Sequence, residues 1–190
     1  YEFLIAQKAD LDNAKEDLQK ILKEISSHMK EVFEQQFAIM NKCFDETFKE
    51  IFGGGSAELE LTDPGEILSC GIEIKVKLPG KTLKTITLLS GGEKAFVAIA
   101  LYFAMLKVRP TPFCVLDEIE AALDDVNVDR YADYLHKLCK TTQFIVITHR
   151  RGTMEKSEML YGVTMQERGV SKLLALNISD VEEQLNMKLQ

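Results

Sequence analysis

The sequence predicts an α/β fold: a central, mainly parallel sheet flanked by helices, preceded by one long helix. Three observations carry that expectation. A helical pattern, heptads as far as Val32 and phenylalanines at helical spacing beyond, runs to Phe52 without a glycine or proline. Two short apolar runs, residues 113–116 and 144–148, read as parallel core strands. An amphipathic stretch between them reads as the crossover helix that parallel strands require.

Residues 1–52 are expected to form a single helix. Leu4, Leu11, Leu18, Ile25 and Val32 recur every seven residues, and Ile21, Leu22 and Met29 fill the seam between them. Such spacing describes a coiled-coil strand in need of a partner; the ordinary alternative is an amphipathic helix lying on its own domain. Phe33, Phe37, Phe44, Phe48 and Phe52 then follow at helical spacing, so this end is expected to dock into a globular core. Gly53-Gly54-Gly55-Ser56 ends the helix and divides an arm, residues 1–52, from a globular unit, residues 53–190.

Beyond that boundary, residues 57–61 and 71–78 alternate apolar and polar positions, as half-buried strands do. Asp63-Pro64-Gly65 and Pro79-Gly80 supply turns. Residues 95–106 form a nearly all-apolar helix, which must be buried. Val128, Tyr131, Leu135 and Leu138 mark the crossover helix, and residues 159–165 and 172–176 a last pair of strands. The tail, residues 180–190, carries Val181, Leu185 and Met187.

Over 190 residues, 46% are hydrophobic and 28% charged, which is globular composition rather than that of a disordered chain. A net charge of −7 excludes a uniformly basic nucleic-acid binder. No apolar run is long enough to span a membrane, and the opening residues have no signal-peptide character. Cys43, Cys70, Cys114 and Cys139 form no CxxC pair, so reduced thiols in a cytoplasmic protein are expected, without a zinc site. Tyr1 falls inside a helical pattern, as in a piece of a longer protein.

Three segments carry chemistry. Leu89-Ser90-Gly91-Gly92-Glu93-Lys94 opens the buried helix. Ser90 with Glu93 three residues on fits a capping box, and the same geometry presents free N–H groups and glycines to a phosphate. Residues 113–118 are an apolar strand ending in Asp117 and Glu118, whose side chains diverge. Asp117 suits Mg²⁺, held through water, and Glu118 suits orienting and deprotonating a water that attacks a γ-phosphate. The ordinary alternative is an acidic turn capping the next helix, since Glu120, Asp124 and Asp125 follow. Residues 144–150 form another core strand with a polar tip, where His149 can sense a γ-phosphate or the attacking water. His28 and His136 lie in helices and read as structural or solvated.

Together these segments resemble an ABC-type ATPase, with LSGG signature, Walker B strand, D-loop and switch histidine in that order. LSGGEKAFVAIAL, VLDEIEAALDD, ITHRRGTME and LYGVTMQERGVSKL look like the C-terminal head segment of a bacterial SMC (structural maintenance of chromosomes) protein. The likeness covers residues 44–176, and the heptads match that family's descending coiled-coil arm. The resemblance implies the C-terminal lobe of an ABC-type ATPase head, acting in chromosome condensation and segregation. It implies that Ser90, Gly91 and Gly92 contact the γ-phosphate of ATP held on an opposite head. It further assigns Asp117 to Mg²⁺, Glu118 to catalysis and His149 to the switch. Residues 122–125 match the D-loop along the head–head interface, and Asp124 is assigned to nucleotide binding.

No G-x-x-x-x-G-K-[ST] occurs anywhere, so the loop that cradles the β- and γ-phosphates is missing. In the SMC family it lies in an N-terminal lobe, so the chain alone is expected not to hydrolyse ATP. The partners implied by the resemblance are that Walker A lobe, a second head in a homodimer, the winged-helix end of a kleisin subunit, and DNA, at a nucleoid-associated cytoplasmic location. Residues 159–176 and the tail are candidate contributors to kleisin contact, the tail's apolar residues being equally suited to packing on their own domain. Lys75 and Lys77 share one strand face within a basic strip that either meets a DNA backbone or is a solvated surface. Two other readings stay open: a coiled-coil ABC ATPase of DNA repair, and a non-enzymatic scaffold in which Glu118 and Ser90 are dispensable.

Overall fold

The structure, a computed structural model, describes residues 1–178; the tail considered above, with Val181, Leu185 and Met187, lies outside the described residues. Helix α1 runs from Glu2–Phe52 without interruption. It stops at Gly53, which adopts the left-handed conformation (φ 71°) and returns its N–H to the Lys49 carbonyl. Gly55 serves a tighter need. A Cβ there would sit 2.2 Å from the Lys77 carbonyl oxygen at a φ of +83°, so only glycine fits.

The heptad stripe and the phenylalanine stripe have different fates. Leu11, Leu18, Leu22 and Met29 are each at least half exposed, with nothing packed on them among the described residues. Phe44, Phe48 and Phe52 are buried, while Phe33 is only half-buried and stacks on Phe37. Docking of α1 therefore begins near Phe37 rather than at Phe33, and most of the stripe's burial is delivered by its last three rings.

Strands β1 (Ser56–Leu61), β2 (Ile72–Lys77) and the short β3 (Lys84–Thr85) form an antiparallel sheet. The β1 edge is closed by side chains of α1. Asn41 accepts from the Leu59 N–H at 2.8 Å and donates to its carbonyl, and Asp45 accepts from the Ala57 N–H. Edge groups that would otherwise invite another strand are thus satisfied within the fold. On the opposite face, Lys75 is ion-paired with Glu60 and lies directly across from Glu58. One of the two lysines weighed above as a DNA-facing pair is therefore already matched by acids.

A 3-10 turn over Ile86–Leu88 leads to α2 (Gly91–Val108), whose Phe96, Val97, Ala100, Phe103 and Ala104 are fully buried, as its apolar sequence demands. Phe52 packs on Phe96 (centroids 4.5 Å apart), and Phe103 stacks between Tyr131 and Tyr134. Those tyrosines belong to the crossover helix α3 (Asp125–Leu138), so α2 is gripped between α1 and α3. Strands β4 (Phe113–Asp117) and β5 (Gln143–Ile147), joined through α3, pair in parallel. Cys114 and Leu116 face the helices and are buried, but Phe113, Val115, Ile145 and Ile147 are each at least half exposed. The two runs read as parallel core strands do pair in parallel, and among the described residues they are covered on one face only.

A single-turn helix α4 (Arg151–Glu155) leads into an antiparallel hairpin of β6 (Met159–Glu167) and β7 (Val170–Asn177), with a bulge between Met165 and Glu167. Among the described residues parallel pairing is confined to β4–β5; the other two sheets are antiparallel. No described helix is long and apolar enough to cross a membrane.

Candidate functional site

Parallel pairing of β4 with β5 sets Asp117 opposite Ile147, so the two strands end together and release their polar tips side by side. The Glu118 N–H extends the ladder by donating to the Ile147 carbonyl at 2.9 Å. Glu118 itself has φ +48°; among the described residues it is the non-glycine with positive φ. A left-handed conformation costs a non-glycine residue about 1 kcal/mol, and such cost is retained where the surroundings enforce it. Here it turns the Glu118 carboxylate out of the strand. His149 Nδ1 lies 3.2 Å from Glu118 Oε1, and both side chains are more than half exposed. Asp117, also exposed, takes no part in that contact.

Behind this pair lies a second, buried connection that sequence reasoning missed. Glu120 is completely buried, and its Oε1 accepts from the hydroxyls of Thr148 and, at 3.2 Å, Thr153. The Thr148 hydroxyl in turn accepts from the Arg150 N–H at 3.0 Å. Glu120 Oε2 and the Tyr131 hydroxyl are buried without hydrogen-bond partners among the described residues. Burial, with the Glu120 charge beside it, pushes the Tyr131 phenol far above its ordinary range. In sequence Glu120 is one of a run of acids; only the distant threonines reveal its buried role.

Ser90 opens α2 as the sequence predicts. Its Oγ accepts from the Glu93 N–H and donates to Glu93 Oε2 at 2.9 Å, while its own N–H donates to the same carboxylate, a complete capping box. Lys81, from the loop after β2, reaches Glu93 Oε1 at 2.6 Å. That ammonium, joined by the Ser90 N–H and hydroxyl, pulls the Glu93 carboxyl down to about 2. Gly91 has open space where a Cβ would stand, leaving its backbone approachable. Gly92 does not: a Cβ there would lie 3.0 Å from the Ala122 carbonyl oxygen. The glycine turn that opens α2 is therefore seated against the loop that follows β4.

The structure thus brings Glu118 and His149 into contact, sets Asp117 beside them, and joins Gly92 to the 122–125 loop. It shows no direct contact of Ser90 or Gly91 with Asp117, Glu118 or His149. Asp124 acts as a helix cap, its Oδ1 accepting from the Asn127 N–H at 2.8 Å. Arg150, another residue missed from sequence, donates to the Leu123 carbonyl and to Asp125, tying the segment after β5 to the same loop. No described cluster of three or more His, Cys, Asp or Glu residues is arranged to hold a metal alone.

Known proteins resemble this chain closely. Chromosome partition protein Smc of Desulfitobacterium hafniense is 54% identical over 178 residues, 94% of this chain but 15% of that protein's length. The Smc head domain of Pyrococcus furiosus, solved with an extended coiled coil and bound to the C-terminal domain of ScpA, superposes with a TM-score of 0.79. It is 40% identical and matches 98% of this chain and 46% of its own. A further chain, solved in work on ATP-driven dimerization and DNA-stimulated activation of SMC ATPases, gives a TM-score of 0.73. Its identity is 41%, over 85% of this chain and 99% of that one. The architecture is accordingly that of an SMC head, an ABC-type ATPase fold with a long helix at its N-terminal side. With residues 6–172 matching the family described as RecF/RecN/SMC N terminal domain, this chain belongs to the RecF/RecN/SMC family.

Proposed function

We propose that the chain is the C-terminal lobe of an SMC-type ATPase head, with residues 1–52 as arm and 53–190 as lobe, serving chromosome partition. The observation that carries this reading is the Glu118–His149 contact at the shared end of two parallel strands, beside a glycine-bearing helix start packed on the next loop. A phosphate-bearing substrate fits that end of an α/β sheet.

In this reading Glu118 receives the proton of a water attacking the γ-phosphate, and His149, 3.2 Å away, holds the carboxylate in position and senses the phosphate. Asp117, exposed and without two further acids around it, fits a Mg²⁺ that keeps most of its waters and takes its remaining ligands from the nucleotide. That ion would neutralise charge developing on the phosphates. Ser90, Gly91 and Gly92 meet ATP carried by a second head; to donate to it, the Ser90 hydroxyl turns away from Glu93. Asp124 and its loop lie along that head–head interface.

The Walker A lobe comes from elsewhere in the complete protein, since no such loop occurs in these 190 residues. The β6–β7 hairpin, with apolar side chains exposed along both strands, suits a kleisin winged-helix domain. DNA association belongs to the assembled complex in a nucleoid-associated, cytoplasmic setting. Phosphate release tests the proposal. The chain alone should show none above background, and adding a Walker A lobe should restore turnover. Robust hydrolysis by the chain alone, or none in the reconstituted head, overturns it.

A further inference from the structure

The segment that carries the candidate base and the segment bearing the histidine are cross-linked twice, once at the surface and once in the interior. Outside, Glu118 meets His149. Inside, two residues on, Glu120 binds the hydroxyls of Thr148 and Thr153, which bracket His149 and Arg150. Glu120 is fully buried, whereas Glu118 and His149 are more than half exposed and held at their tips by nothing else among the described contacts. An exposed carboxylate–imidazole pair is a weak constraint by itself. A buried carboxylate accepting two hydroxyl hydrogen bonds is a strong one, because breaking either bond leaves an unsatisfied polar group away from water.

We propose that Glu120 is a positioning residue: by gripping Thr148 and Thr153 it fixes the 148–153 turn so that His149 faces Glu118. The Arg150 contacts to Leu123 and Asp125 extend the same clamp to the loop beside the signature helix. This inference rests on the ATPase reading for its catalytic consequence but not for its structural content.

Two measurements on the reconstituted head separate those parts. In the first, the head is 13C-labelled at histidine. Glu118→Gln should shift the His149 ring resonance, and the shift should vanish in a Glu120→Leu background. An undiminished shift overturns the proposal, whether or not the head hydrolyses ATP. In the second, Glu120→Leu should lower kcat about ten- to a hundredfold at nearly unchanged KM. Glu120→Gln, whose amide oxygen still accepts from both threonines, should keep kcat within about twofold. In a His149→Ala background Glu120→Leu should cost nothing more; an equal further loss there overturns the proposal. Should Glu120→Leu fail to fold, Thr148→Val takes its place in both measurements, with the same expected and overturning results.

Discussion

Glu118 is where sequence and geometry agree most closely and where sequence is also most reticent. An apolar strand closing on two acids is legible, and so is the histidine tip of the next apolar run. The left-handed φ of Glu118 is not legible, because no glycine or asparagine announces it. Glu118→Gln keeps the shape and removes the proposed base, so ATP turnover in the reconstituted head should fall at least about a hundredfold. Size-exclusion chromatography with ATP should then show a persistent engaged dimer; unchanged turnover would remove Glu118 from its role. Glu93 offers a test in this chain alone. Its carboxyl is held at about 2 against an ordinary 4.5, first by Lys81 and then by Ser90. A lowered folded-state value means the unfolded chain takes up the proton first, so this contribution is complete above pH 4.5 and lost as pH falls toward 2. Denaturant midpoints across that window should decline more steeply for the native chain than for Glu93→Gln.

At the scale of elements, periodicity reads well and burial reads less well. The long helix, the buried helix, the crossover and the last hairpin all follow from spacing. The short β3 and α4 do not, because two or five residues carry too little pattern to register. The burial of Glu120 is hidden for a related reason: it depends on partners 28 and 33 residues away in sequence, Thr148 and Thr153. Helix α1 illustrates both sides, since one continuous element changes from exposed heptads to buried rings. Phe48→Ala should therefore destabilise the globular unit by about 3–5 kcal/mol. Leu18→Ala should leave its denaturation midpoint unchanged. Comparable losses for both variants would mean that the heptad face also packs on this unit.

For the whole molecule, the unusual quantity is uncovered apolar surface. Phe113, Val115, Ile145 and Ile147 stand on one face of β4–β5, and Tyr161, Val163, Leu173 and Leu174 on the hairpin, all at least half exposed. Patches of this extent mark surfaces that meet other protein. The sequence shows the apolar runs but cannot say which face stays bare, since covering is a property of what lies opposite. Adding a Walker A lobe well above its dissociation constant should raise the melting temperature by about 5–10 °C. No rise would dissociate the bare face from that lobe. The uninterrupted course of α1 has a mechanical corollary. Residues 2–36 of the rod precede its first packed ring and extend about 50 Å at 1.5 Å per residue. A sideways pull at the far tip acts as torque, with Phe48 and Phe52 as the fulcrum and Phe96 as the first part to be levered. Since Phe96 is only six residues from Ser90, any load on the rod arrives within two helical turns of the start of α2.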